Sequence, residues 1–329
     1  IMKYGLNSLT GIRPTADLTI ANYIGAIQPI LEAEQNGQET CVFIAELHAA
    51  TTHSPAEVLA NARELGRTLL ASGVTGDVYS QKDMASYVSS AELMLRGLTS
   101  VNRLLRLPTL KEKVKTSDDT GTANVALALY PIMMAADIVL MRPEKVPTGK
   151  DQLPHLEITK ELIRSFNKTY RAELPEPAGV EVTPPNILSL DGSGRKMSKS
   201  LPKGAIFLDD PVDVARKKVM RTVTATEPGP AMNTAVDNLA TIAQKLNTHN
   251  KDLSELFDLG KQVKDGAKKM GVFKSIVAEI VGDFLFELSE RRQNVSDAEV
   301  SAKLADGGNK ARGLASQTLA HMEKTYWSA

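Results

Sequence analysis

The stretch T-C-V-F-I-A-E-L at residues 40–47, followed by S-P-A-E at 54–57, decides how the first half of this chain folds. A short apolar run rich in β-branched and aromatic residues reads as a strand. Ser54 then stands at a helix N-cap, Pro55 at the first helical position and Glu57 where a capping box needs it, so the spacing predicts a helix over Pro55–Ser72.

Working outward, further strands are expected at Y-G-L-N-S-L (4–9), D-V-Y-S-Q (77–81) and K-V-P-T (145–148). Helices are expected over Asn22–Asn36, Ala85–Thr99 and Val125–Leu140. Strands that alternate with helices predict an α/β fold, a parallel sheet with helices on both faces. Ligands of such sheets bind at the carboxyl ends of the strands. After about residue 205 the strand signals stop. D-D-P-V-D-V-A-R-K-K-V-M-R begins like a helix, with Asp210 as its cap and Pro211 following. Phe273, Ile276, Val277, Ile280, Val281, Phe284 and Leu288 keep the spacing of one buried helix face. Ser296 and Glu299 form a second capping box, and Asn309–Trp327 reads as a final helix. Two domains follow, an α/β domain over 1–204 and a C-terminal α-helical domain over 205–329.

Composition narrows the function classes. With 39 cationic against 39 anionic side chains, a polyanion has to be met by local clusters and not by a global field. A single cysteine, Cys41, excludes a disulfide framework and a cysteine-based metal site within one chain, and fits a reducing cytoplasm. The five histidines show no metal-ligand spacing. No apolar run approaches the roughly 20 residues that span a bilayer. The start I-M-K-Y-G-L-N-S-L lacks a signal peptide's arrangement, so a soluble, cytoplasmic protein is expected.

Four segments carry candidate chemistry. In T-G-I-R-P-T-A-D-L-T-I-A-N-Y-I-G-A (10–26) a helix N-terminus offers unpaired N–H groups to phosphate, and Thr19 and Asn22 are either further donors or an ordinary cap. In D-G-S-G-R-K-M-S-K-S-L-P-K-G (191–204) Lys196 and Lys199 suit the charge that develops on a leaving phosphate, unless the loop is simply solvated. In V-P-T-G-K-D-Q-L-P-H-L-E (146–157) Asp151 and Gln152 follow a strand's end, where a ribose or an ammonium group is held; a plain N-cap role for Asp151 is the alternative. In A-L-Y-P-I-M-M-A-A-D-I-V-L (128–140) Asp137 is either buried and paired or aimed into a pocket as the acceptor of one ligand donor. His48, after a strand, and Lys111 and Lys113 in T-L-K-E-K read by themselves as ordinary structural and surface residues.

The order P-T-A-D-L-T-I-A-N-Y-I-G, Y-P-I-M-M-A-A-D-I, V-P-T-G-K-D-Q, K-M-S-K-S is far more specific than any one member. From about Leu9 to about Trp327 the chain resembles a class I aminoacyl-tRNA synthetase, and closely the bacterial or organellar tryptophanyl-tRNA synthetases. T-I-A-N stands where that family's first signature lies, and K-M-S-K-S matches the second unchanged.

The resemblance implies a Rossmann-like catalytic domain ending in the K-M-S-K-S loop and a helical domain that binds the tRNA anticodon. It implies activation of L-tryptophan by ATP with Mg²⁺, transfer to tRNA(Trp), and a homodimer. Lys196, Lys199 and Lys113 match triphosphate contacts, and Met197, Ser198 and Ser200 share the signature loop. Arg13, Pro14, Thr15, Thr19, Ala21 and Asn22 match ATP-contacting positions; Gly149, Lys150 and Asp151 match those near the ribose, and Ile187 meets adenine through its backbone. Asp137 matches the acceptor of the indole N–H, Met134 and His48 the pocket walls, and Tyr130 and Gln152 the groups that hold the α-ammonium. Leu9 occupies a pocket site that is often aromatic. Ala16, Ala21 and Lys150 depart from the family's usual glycines and acid. R-K-K-V-M-R (216–221) and N-K-A-R (309–312) are candidate RNA phosphate contacts. Tyrosine as substrate, and a non-catalytic paralogue that binds tryptophan or RNA, are the competing functions.

Overall fold

The computed structural model describes residues 2–15, 17–107, 125–181 and 183–328. Ala16, Lys111 and Lys113 lie outside the described residues. Five strands are formed, β1 (Leu6–Ile12), β2 (Cys41–Ile44), β3 (Asp77–Ser80), β4 (Pro143–Thr148) and β5 (Ala178–Glu181). The longer helices are α1 (Pro55–Ser72), α2 (Ala85–Arg96), α3 (Val125–Met141), α4 (Leu153–Tyr170), α5 (Val212–Met220), α6 (Pro230–Leu246), α7 (Ser254–Lys264), α8 (Met270–Asn294) and α9 (Asp297–Trp327). The chain divides into two compact units: Ile1–Ala16, Ile30–Thr183 and Ser296–Ala329 form the first, and Asp17–Pro29 with Pro184–Val295 the second.

The first unit holds the sheet, in order β3-β2-β1-β4-β5 with every pairing parallel. Leu9 faces Cys41 in the register of β1 with β2, and Lys145 faces Ala178 in that of β4 with β5. All four residues of β2 are buried, as expected for a strand covered on both faces. The expected α/β class is therefore what the chain forms. β1 runs later than the expected 4–9 because Gly11 continues it: a Cβ there would lie 2.4 Å from the Phe43 ring, and glycine lets the strand pass. α1 begins with the predicted box, the Ser54 side chain accepting from Glu57 N and the Glu57 carboxylate accepting from Ser54 N.

The expected boundary at 204/205 does not divide the two units. α9 is one 31-residue helix, and it belongs to the unit that holds the sheet. It passes so close to β3 that a Cβ on Gly307 would stand 2.2 Å from the Val78 carbonyl oxygen. Further along, the buried Thr318 hydroxyl donates to the Leu140 carbonyl (2.8 Å) and accepts from Arg142 Nε (2.9 Å). The predicted Ser296–Glu299 box is present at its start.

In the second unit α8 buries Phe273, Val277, Val281, Phe284 and Leu288, the face expected from their spacing. Tyr23 meets Phe284 edge to face at 4.8 Å. Asp210 does not cap α5: Pro211 holds the cap position, and Asp210 Oδ2 accepts from Phe207 N (2.8 Å) and Lys218 Nζ (2.7 Å). The helix expected over Asn22–Asn36 starts earlier, at Ile20, and runs through a π-helical turn at Tyr23–Ile27 into Gln28–Gln35.

Candidate active site

β1 has β2 on one side and β4 on the other, so the chain's crossovers leave the sheet in opposite directions from this point. Open parallel sheets bind ligands in the crevice at that switch, outside the carboxyl ends of the strands. A cavity of about 510 Å³ lies there in the first unit, within the usual range for small-molecule sites. Leu9, Gly11 and Arg13 reach it from β1 and its end, Phe43 and Ala45 from β2, and Val146 and Thr148 from β4. Tyr130, Met134 and Ile138 follow at intervals of four along α3, which puts them on one helix face toward the cavity. His48 and Gln152 complete the polar part of the wall.

Behind this wall lies the acid singled out in the sequence. Asp137 is only 3% exposed, and its Oδ2 sits 3.0 Å from His48 Nε2. Gln81, fully buried at the end of β3, donates Nε2 to Asp137 Oδ1 (3.0 Å) and Oδ2 (2.8 Å). Its Oε1 accepts from Leu47 N at 3.0 Å, so one amide ties the helical segment Glu46–Ala50 to α3. Of the two possibilities left open for Asp137, the structure shows buried and paired. His48, which reads by itself as an ordinary structural residue, lines the cavity and holds the acid; Asp137 is not itself a lining residue.

Tyr130 Oη is 2.6 Å from Nε2 of His155, which is fully buried beneath it. Arg13, which matches an ATP-contacting position by resemblance, stands at the wall of this cavity, its Nη2 donating to Thr52 Oγ1 at 2.8 Å. Burial pushes the guanidinium's pKa down, and the Tyr130 phenol nearby opposes that shift. Burial also pushes the carboxyl of Glu46 up, against hydrogen bonds from Ser80 and from the backbone of Lys82. Gly149 precedes a tight turn at Lys150–Gln152, and Gln152 N closes it on the Gly149 carbonyl at 2.9 Å. The cap position ahead of that turn belongs to Gly149 and not to Asp151, and Lys150 is exposed.

Pro14 and Thr15 follow Arg13 in the first unit, whereas Thr19, Ala21, Asn22, Ile187 and the signature loop lie in the second. Thr19 is a cap: it is fully buried, Asn22 N donates to its hydroxyl (3.3 Å), and the hydroxyl donates to Asn22 Oδ1 (2.9 Å). Asn22 itself is exposed, whereas the methyl of Ala21 is buried. Ile187 is buried, and its carbonyl accepts from Met197 N at 2.8 Å. Leu188 bridges to Lys196, and Ser189 N donates to the Arg195 carbonyl at 2.8 Å, so the signature loop is a closed hairpin. Gly192 and Gly194 turn it with φ of 77° and 68°, values that suit glycine. Buried Met197 anchors it, Lys196 and Lys199 project to the exposed side, and Ser198 Oγ lies 2.8 Å from Ser200 Oγ. The basic segments are in different units. Lys217 pairs with Asp213, Lys218 with Asp210 and Lys310 with Asp77, exposed or partly exposed pairs that water and salt weaken.

Sequence reasoning missed Gln81 and His155. Gln81 closes the strand D-V-Y-S-Q, and an uncharged polar residue at a parallel strand's carboxyl end was a usable signal. His155 sits on α4, and nothing local marks its reach to Tyr130.

A family profile described as tRNA synthetases class I (W and Y) matches residues 5–285. A tryptophan–tRNA ligase of Mycoplasma pneumoniae is 31% identical over 330 residues, with 95% of each chain covered. One from a Nostoc species is 32% identical, with 96% of each covered. The crystal structure of the Mycoplasma pneumoniae tryptophanyl-tRNA synthetase superposes with a TM-score of 0.84 at 29% identity, over 98% of this chain and 97% of that one. That of the Campylobacter jejuni enzyme complexed with ADP and tryptophan gives 0.80 at 26%, over 98% and 99%. With the parallel sheet, the cavity at its switch point and the K-M-S-K-S hairpin already in place, these matches settle the family: the chain belongs to the class I tRNA synthetases of the tryptophan and tyrosine type.

Proposed function

We propose that the chain is a tryptophan–tRNA ligase, and the observation that carries this is the cavity at the β1–β4 switch with a buried acid behind its wall. Leu9, Phe43, Met134 and Ile138 give the indole an apolar bed. A carboxylate oxygen accepts two hydrogen bonds, and Asp137 Oδ1 receives one, from Gln81, which leaves a lone pair for the indole N–H. A ligand lacking that donor leaves the acid short of a partner, the strongest kind of selection a small site makes. Tyr130 and Gln152 hold the α-ammonium.

Chemistry follows in two steps. A tryptophan carboxylate oxygen attacks the α-phosphorus of ATP, the bond to the bridging oxygen breaks, and pyrophosphate leaves. A ribose hydroxyl of the 3′-terminal adenosine of tRNA(Trp) then attacks the acyl carbon of the adenylate, forming the ester and releasing AMP and a proton. A carboxylate is already ionised, so the protein's task is to position the reactants and stabilise the leaving charge. Lys196 and Lys199, with Lys113, meet the triphosphate, which binds as its Mg²⁺ complex; Asn22, Ala21 and the backbone of Ile187 meet the adenine end, with Gly149, Lys150 and Asp151 at the ribose. The helical domain receives the anticodon, and the enzyme works as a cytoplasmic homodimer. Among the described residues no helix is long and apolar enough to cross a membrane.

Tryptophan-dependent exchange of labelled pyrophosphate into ATP tests this. Exchange with tyrosine alone would make it the tyrosine enzyme, and tight tryptophan binding without exchange would make it a sensor.

A further inference from the structure

Arg13 is the one feature of the cavity that its assigned roles do not explain. It follows directly on Ile12, the last residue of the central strand, and stands at the wall. Its hydrogen-bond partner is a neutral hydroxyl, Thr52 Oγ1, and its Nε is buried with no acceptor. Among the described residues no carboxylate lies within ion-pair distance of it. The acid nearest in function, Asp137, is already held by His48 and Gln81. Among the described residues the cavity thus contains a partly desolvated cation with no counter-ion, beside the groups proposed to hold an ammonium. A charge in that position is costly until an anion joins it.

The geometry points to Arg13 as the anchor for the amino acid's carboxylate, and so as a specificity-determining residue that demands a free α-carboxylate on the ligand. This rests on the proposed function. Arg13 grips one carboxylate oxygen and leaves the other to form the new bond to the α-phosphorus. After that bond forms, the gripped oxygen is the neutral carbonyl oxygen of the acyl phosphate and the remaining charge lies on the phosphate, so Arg13 holds the carboxylate before the step and only a carbonyl after it. A planar guanidinium suits this better than an ammonium, because its N–H groups are fixed in direction.

The test compares binding of L-tryptophan with L-tryptophanamide, which keeps the indole and the ammonium and lacks the negative charge. Calorimetry on the wild type, Arg13→Met and Arg13→Lys reads out the ratio. Wild type is expected to favour tryptophan by about tenfold or more, the range of a charge-assisted hydrogen bond. Arg13→Met should erase the preference while binding the amide as well as before, and Arg13→Lys should restore part of it. A preference that survives in Arg13→Met, or an Arg13→Met whose sole defect is a raised KM for ATP, overturns the assignment. Pyrophosphate exchange by the wild type, run alongside, reports separately on the ligase reading: exchange with an unchanged preference in the variant sinks the Arg13 anchor alone.

Discussion

Gln81 Nε2 lies 3.0 Å from Oδ1 and 2.8 Å from Oδ2 of Asp137, so one fully buried amide steadies both oxygens of the acid behind the cavity wall. Its own carbonyl is taken by Leu47 N, which leaves it no freedom to turn. Gln81→Leu keeps the bulk and removes the bonds to Asp137 and those from the backbone of Leu47 and His48. It is expected to cost about 1–3 kcal/mol of stability, the usual penalty for stranding a buried polar group, and to weaken tryptophan binding. Denaturant unfolding and tryptophan titration check the two effects; an unchanged affinity would separate Gln81 from the ligand.

The K-M-S-K-S hairpin is held by its backbone and by buried Met197, with both lysines on the exposed side. Truncating a lysine therefore removes the cation without touching the backbone hydrogen bonds that close the hairpin. Lys196→Ala and Lys199→Ala should slow adenylate formation by about 10²-fold or more, the scale of losing one charge-stabilising group. Tryptophan affinity should stay within about twofold, because a contact made to the departing pyrophosphate is absent from that ground state. Single-turnover kinetics and calorimetry measure the pair. Equal losses in both would mean the lysines act on the amino acid and not on the leaving group.

What was legible in the sequence was local. The capping boxes at Ser54 and Ser296 and the buried face of α8 depend on residues three or four apart, and the structure contains them as read. β2, β3 and β4 were legible too, because turns and helices bracket them. β5 was not: A-G-V-E is short and includes Gly179, where a Cβ would stand 2.5 Å from Leu156 Cδ2, so the strand packs on α4 only because that side chain is missing. Nor was the place of α9, since its fit against β3 depends on Gly307 and Val78, more than two hundred residues apart. The same holds for the site. Asp137 stood out by its apolar neighbours, but its partners Gln81 and His48 come from distant segments that only the fold brings together.

α9 contains three glycines in the stretch 307–313 that meet different surroundings. A Cβ at Gly307 would lie 2.2 Å from Val78 O and 2.7 Å from Val78 C, backbone atoms that cannot step aside. One at Gly313 would meet nothing within 4 Å. Alanine favours a helix over glycine by about 1 kcal/mol, so the contact decides the sign. Gly313→Ala should raise Tm slightly. Gly307→Ala should lower it, because the roughly 1–3 kcal/mol cost of an overpacked site outweighs the helix gain. Scanning calorimetry on the two variants distinguishes them, and a stabilised Gly307→Ala would mean that α9 does not sit so close to β3.

Cys41, buried in β2, has its thiol pushed up to about 12, by burial first and by the Asp77 carboxylate second. In the unfolded chain the thiol ionises near its ordinary value of 9.0. The raised folded value means that Cys41's contribution to stability is fully present below pH 9 and lost as pH climbs toward 12. Cys41→Ala removes this loss. The stability difference between wild type and Cys41→Ala should therefore be constant from about pH 7 to 8.5 and should shift toward the variant by about 1.4 kcal/mol per unit above pH 9. Burial keeps the folded thiol protonated at pH 8, and the thiolate is the form that reacts with disulfide reagents, so labelling of the native protein should track unfolding. Rapid native labelling at pH 8, or a stability difference flat to pH 11, would show that the thiol is more open to water than its place in the sheet implies.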